Sequence, residues 1–183
     1  MPKINFFIEW LKKKKKAEIL ERLKTEVSDY VNLSNSFDET SFFKQSNPEK
    51  WSAAQNLQHL VFVSKRISDT LKTPSVLAAF GSAERPSRDY ETVEKDYQTV
   101  LEAQKAIGMP YRHLNTEGSK LDLIGNLNAV TKELTDISKQ LSEEQLDSVQ
   151  MPHPLLGLLT VREWLQFAAS HTRHHFRIVE KLK

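Results

Sequence analysis

The chain contains no cysteine. That excludes a disulfide framework, a thiolate-ligated zinc or iron–sulfur site and a cysteine nucleophile. Glycine and proline are scarce, 5 and 7 among 183 residues, too few for an all-β fold that turns about every ten residues. Neither sign of charge dominates. Lys and Arg number 26 against 24 Asp and Glu, a formal +2, which argues against a chain devoted to nucleic acid. No apolar run reaches the roughly 20 residues of a membrane span. What the chain does have is 39% apolar and 27% charged residues, enough for a packed core and too ordered a mixture for a disordered protein. The length fits one domain of about 150 residues with a short extension. The unusual chemistry lies in six histidines.

Residues 1–16 form the expected extension and residues 17–183 the domain. Ile4, Phe7, Ile8 and Leu11 make a helical stripe, followed by five lysines from Lys12 to Lys16. A secretory signal carries its charges before the apolar stretch; here the order is reversed and no small-residue cleavage site follows, so a cytoplasmic protein is expected. The extension reads as a helix packed on the domain or on a partner. The sharper alternative is an amphipathic segment that touches anionic membrane or nucleic acid.

Period and punctuation give the helices. The first covers about Ala17 to Leu33, with Ile19, Leu20, Leu23, Val27, Tyr30 and Val31 on one face. The second opens at Trp51-Ser52-Ala53-Ala54-Gln55, where Ser52 and Gln55 have capping-box spacing, and ends before Pro74. The third runs from Asp89 to Ile107. The fourth follows Gly118-Ser119, with Ile124, Leu127, Thr131, Leu134, Ile137 and Leu141 on its face. A short turn, Ser142 to Leu146, and a loop with Pro152, Pro154 and Gly157 precede the last helix, which opens on a second capping-box pair, Thr160 and Glu163. Long amphipathic helices with long unequal connections predict an all-α fold, a four-helix bundle with crossover loops.

On the last helix, at about 100° per residue, Val161, Trp164, Leu165, Ala168, Thr172, Phe176, Val179 and Leu182 form the buried stripe. His175 lies about 40° and His171 about 80° to one side of it, and His174 near 140°, towards solvent. Residues four apart are neighbours on a helix, so His171 and His175 can direct two imidazoles at one point, a common two-ligand spacing for a metal. The third ligand has three candidates. His113 and His153 fall in expected loops beside prolines, where surface histidines are ordinary. His59 lies at the edge of the apolar stripe of the second helix and is the choice. A zincin needs Glu after the first histidine of the pair, and Thr172 stands there. A di-iron carboxylate bundle needs Glu-x-x-His, and none of Asn56, Pro110, Gln150, Ala168, His171 or Thr172 is Glu. A mononuclear three-histidine site survives both tests.

Trp51-Ser-Ala-Ala-Gln-Asn-Leu-Gln-His59-Leu resembles the first signature of the DinB/YfiT-like superfamily. The stretch from His153-Pro-Leu-Leu-Gly through Leu159-Thr160 to His171-Thr-Arg-His174-His175 is similar to the closing helix of that family and the loop before it. The resemblance covers about Ala17 to Lys183. It implies a four-helix bundle, frequently a homodimer, with a divalent metal (zinc, nickel, iron or manganese) held by His59, His171 and His175. Family members include thiol transferases that use bacillithiol or mycothiol, a maleylpyruvate isomerase and metal-dependent hydrolases. The basic extension is outside the family pattern.

Three neutral imidazoles leave a divalent metal dipositive, able to lower the pKa of water or to hold an incoming thiol as thiolate. No carboxylate falls on the buried face of the last helix to act as base. The expectation is therefore transfer of a low-molecular-weight thiol to a small-molecule substrate, ahead of hydrolysis. Arg173 and Arg177 flank the pair and read as solvated. The rival of a different class is a non-catalytic dimeric scaffold or stress protein.

Overall fold

The computed structural model describes residues 15–106 and 114–183. The apolar stripe of the extension, Lys12 to Lys14, Ile107 and His113 lie outside the described residues. The elements are α1 (Lys16–Asn35), α2 (Glu39–Phe43), α3 (Ala53–Leu71), α4 (Pro74–Ala78), α5 (Tyr90–Ala106), α6 (Lys120–Gln140), α7 (Glu143–Ser148), β1 (Gln150–His153), β2 (Gly157–Thr160) and α8 (Val161–Glu180). The fold is a four-helix bundle of α1, α3, α6 and α8, with α5 packed against α8. No described helix is long and apolar enough to cross a membrane.

Two pairs of neighbouring helices run in the same direction, which sets the path of the chain. At the start of α1, the Lys16 amide donates to Glu143, whose carboxylate also accepts from Arg162 at the start of α8. Further along, Arg173 of α8 pairs with Glu26 and Asp29 of α1. The first and last helices are therefore parallel. So are α3 and α6: Gln55 donates to the carbonyl of Leu114 just ahead of α6, and Lys72 at the far end of α3 pairs with Glu133. By contrast α1 and α6 are antiparallel, since Lys16 reaches the carbonyls of Lys139 and Leu141 while Lys120 reaches that of Phe37. Parallel neighbours need a crossover as long as the bundle. After α3 the chain makes that return through residues 72–106, which carry α4 and α5; residues 36–52, with α2, join α1 to the antiparallel α3 at one end of the bundle.

Helix starts follow the capping chemistry. Full capping boxes form at Ser52/Gln55 and Thr160/Glu163, and also at Ser119/Asp122 and Ser142/Gln145. Each satisfies two backbone donors that the first helical turn leaves orphaned. The core threads all four helices, with Leu23, Tyr30, Leu57, Leu123, Leu127, Leu134 and Leu165 among its most enclosed side chains.

The segment expected to be a proline loop is instead an antiparallel hairpin. Gln150 pairs with Thr160 and His153 with Gly157. Gly157 closes it with φ +71°, a conformation that disfavours any side chain. The His153 ring holds the turn from inside: its Nδ1 accepts the amides of both Leu155 and Leu156, each at 3.1 Å. Far from being an exposed loop residue, His153 is buried.

Candidate metal centre

Helix α3 runs antiparallel to α8, so the first turns of α3 lie beside the second half of α8. This brings His59, one turn beyond Asn56, against His171 and His175. The Nε2 atoms of His59 and His171 are 3.2 Å apart, and those of His175 and His171 3.0 Å. Four-coordinate ligands with about 2.1 Å bonds sit roughly 3.4 Å from one another. The three nitrogens therefore have nearly the spacing that one shared ion would impose. They form the three-residue cluster with metal-ligand geometry found among the described residues. His174 is not in it; half-buried, it packs its ring on Tyr97 and on His175.

Hydrogen bonding sets the state of one candidate ligand. Asn56 donates from Nδ2 to the carbonyls of Ser52 and Trp51 at 2.8 and 3.4 Å, which turns its Oδ1 towards α8. That oxygen accepts from His175 Nδ1 at 2.7 Å. With the proton held on Nδ1, the Nε2 of His175 presents a lone pair to the other two imidazoles. Three imidazole nitrogens in mutual contact need a shared proton or a shared cation to be stable, and this donor set suits a divalent transition metal.

Burial favours the neutral rings. Desolvation first, and then the neighbouring histidines, push His171 and His175 well below the usual imidazole range. His59, half-buried, is lowered to about 4, again mainly by desolvation and then by His174. At neutral pH the three rings are thus uncharged, and a cation has no imidazolium charge to compete with.

Aromatic rings wall the cluster. Trp51 lies 5.0 Å from the His59 ring and 6.2 Å from that of His175, stacked on the latter. Phe167, one turn before His171, stacks on it at 5.0 Å and 16°. Tyr97 of α5 stands edge-on to both, 5.0 Å from Phe167 and 6.0 Å from His171. Desolvation raises its phenol pKa, so the group stays neutral.

The charged side chains nearby are committed elsewhere. Arg173 is bound to Glu26 and Asp29 rather than being solvated. Glu163 is fully enclosed, but its carboxylate accepts from Arg85, Arg88 and the Thr160 amide and stays ionised, held down to about 2 by those bonds against the opposing effect of burial. Sequence reasoning had missed Trp51 and Asn56 as partners of the cluster. Asn56 was visible only as the residue three before His59, where its not being glutamate was the sole fact used.

The family model of the DinB superfamily matches residues 22–179. The uncharacterized protein YuaE of Bacillus subtilis (strain 168) is 24% identical over 140 residues, covering 76% of this chain and 82% of that one. Two solved structures share the fold. TT2238, a four-helix bundle protein, matches with a TM-score of 0.59 at 15% identity, over 91% of this chain and 99% of its own. YfiT from Bacillus subtilis, described as a probable metal-dependent hydrolase with an unusual four-helix bundle topology, matches with a TM-score of 0.61 at 15% identity, over 91% of this chain and 85% of its own.

Proposed function

The chain belongs to the DinB superfamily, and from that premise we propose that it is a metal-dependent enzyme transferring a low-molecular-weight thiol to a small electrophile. In this reading His59, His171 and His175 hold a divalent ion: zinc, nickel, iron or manganese. The observation that carries it is the convergence of three neutral imidazole nitrogens inside an aromatic enclosure. A divalent ion held by these three neutral ligands would keep its full charge and would supply the Lewis acidity that lowers the pKa of a thiol.

The protein's own residues do the rest. Asn56 fixes the tautomer of His175. Trp51, Tyr97 and Phe167 keep bulk water from the nitrogens and offer flat apolar walls to the electrophile. The nucleophilic sulfur comes from the co-substrate, which suits a chain without cysteine. The one enclosed carboxylate of α8, Glu163, is neutralised by two arginines and is no general base for water. A cytoplasmic homodimer belongs to the same reading.

The second reading is a metal-dependent hydrolase, favoured by the description of YfiT. Untagged, zinc-loaded protein incubated with a thiol panel and chlorodinitrobenzene, and separately with nitrophenyl acetate, distinguishes them. The proposal expects metal-dependent S-conjugation that vanishes on chelation and in His171→Ala. Metal-dependent ester cleavage without conjugation makes it a hydrolase. Stoichiometric metal with neither activity points to a scaffold.

A further inference from the structure

His153 lies outside the three-histidine cluster, yet the structure gives it a defined chemical state and a place beside it. Its ring is edge-on to Phe167 at 4.4 Å and tilted on Trp164 at 4.9 Å. Phe167 in turn stacks on His171. His153 therefore sits over the α8 face that carries His171 and His175, nearer the helix N-terminus, with Phe167 in contact with both His153 and His171. It is near enough that charge on it bears on His171.

Because Nδ1 accepts two backbone amides, the ring proton must be on Nε2. Two amide donors on one nitrogen make this tautomer obligatory, and the hairpin turn holds the ring rigidly. The Nε2–H has no acceptor among the described residues. His153 as a whole is 7% exposed, so a ring almost wholly buried keeps one donor without a partner among the described residues. The turn amides account for Nδ1 alone and leave the Nε2–H without a structural use.

We propose that His153 is a substrate-positioning residue: its Nε2–H donates to an oxygen of the small molecule that lies along Phe167 with its other end at His59, His171 and His175. The ligand class is a short organic molecule with a metal-seeking group at one end and a carboxylate or carbonyl oxygen a few ångströms away. This deepens the thiol-transfer reading and rests on it for the first group only. Burial lowers the His153 imidazole to about 4, so at neutral pH it acts as an uncharged donor and not as an acid or base.

The test uses His153→Asn, because the asparagine Oδ1 takes the place of Nδ1 and accepts the same turn amides while the distal donor is lost. Zinc-loaded wild type and variant are titrated with mercaptoacetate, 3-mercaptopropionate and 4-mercaptobutyrate, with propanethiol as the control lacking oxygen. Malonate, succinate and glutarate are run beside acetate in the same way. The proposal expects at least one oxygen-bearing probe to lose about tenfold in affinity in the variant, the size of a hydrogen bond to a charged acceptor, with its control unchanged. In ¹⁵N-histidine spectra the His153 Nε2–H signal of wild type should move with that probe and not with the control.

Equal losses for probe and control would show a packing role and overturn the proposal. So would a His153 proton found on Nδ1, or no probe in either series separating variant from wild type, including the case where none binds. Failure of every thiol, propanethiol included, with a dicarboxylate still discriminating, overturns the thiol reading and leaves His153 in its role.

Discussion

Replacing Asn56 by alanine removes one hydrogen bond and should cost the site much of its metal. Asn56 is 1% exposed, and its Oδ1 is the acceptor for His175 Nδ1 at 2.7 Å. Without it, His175 has two choices. It can keep the proton on Nδ1, leaving a buried donor unpaired at about 1–3 kcal/mol. Or it can move the proton to Nε2, which closes the lone pair to a cation. Either route weakens the ion's hold, and the loss should be about 10–100-fold in affinity, roughly 1.4–2.7 kcal/mol. Asn56→Asp separates the acceptor from the rest of the side chain. It keeps an oxygen for His175 but sets a carboxylate against the Trp51 and Ser52 carbonyls that Nδ2 now satisfies. Its zinc affinity should equal or exceed that of wild type, because a carboxylate behind a ligating imidazole raises its basicity, while the metal-free protein becomes less stable. Competition with a chromogenic chelator measures the affinities, and thermal unfolding of the metal-free forms the stabilities. An alanine variant that folds and binds zinc as tightly as wild type would refute the tautomer argument.

Alanine at His171 or His175 should abolish metal binding, whereas His174→Ala should leave metal content unchanged, as read by elemental analysis of untagged protein. The metal-free protein should lose stability on acidification between about pH 6.5 and 4. His59 and His153 are held near 4 when folded, so below the ordinary imidazole value the unfolded chain takes up protons that the folded one refuses. His171 and His175 push the same way, and zinc, which binds only unprotonated imidazoles, should raise stability at neutral pH while leaving that slope as steep or steeper; an unchanged midpoint across the window contradicts the burial argument. Glu163→Gln should destabilise the fold by about 3 kcal/mol, since it removes the shared partner of Arg85 and Arg88 at the start of α8. Scanning calorimetry should then show a drop of roughly 6–12 °C.

The parts of the fold that local chemistry governs could be read from the chain. Ser52/Gln55 and Thr160/Glu163 marked the starts of α3 and α8 because a capping box is a contact within four residues. The three histidines came from helix phase, which fixes direction once a buried stripe is known. The hairpin was missed because strands of four residues give almost no alternation, and Pro152, Pro154 and Gly157 carry the composition of a loop. Helices α2 and α4 span barely one turn, too short to show a period. His153 was misread for the reason that a turn amide is invisible in composition: only the folded hairpin shows that its Nδ1 is spoken for. Asn56 and Trp51 meet His175 across a separation of more than a hundred residues, and Arg85 and Arg88 meet Glu163 through a crossover loop. No local pattern records such pairings.

The central claim is that His59, His171 and His175 together hold an ion with a position open to sulfur. Cobalt-substituted protein answers it in one spectrum. Adding a small thiol should produce a sulfur-to-metal charge-transfer band, together with the intense visible absorption of a four-coordinate centre. Both should be absent in His171→Ala and present in Arg173→Ala. Cobalt bound stoichiometrically with no change on adding thiol, or the same band in the His171 variant, would contradict the account.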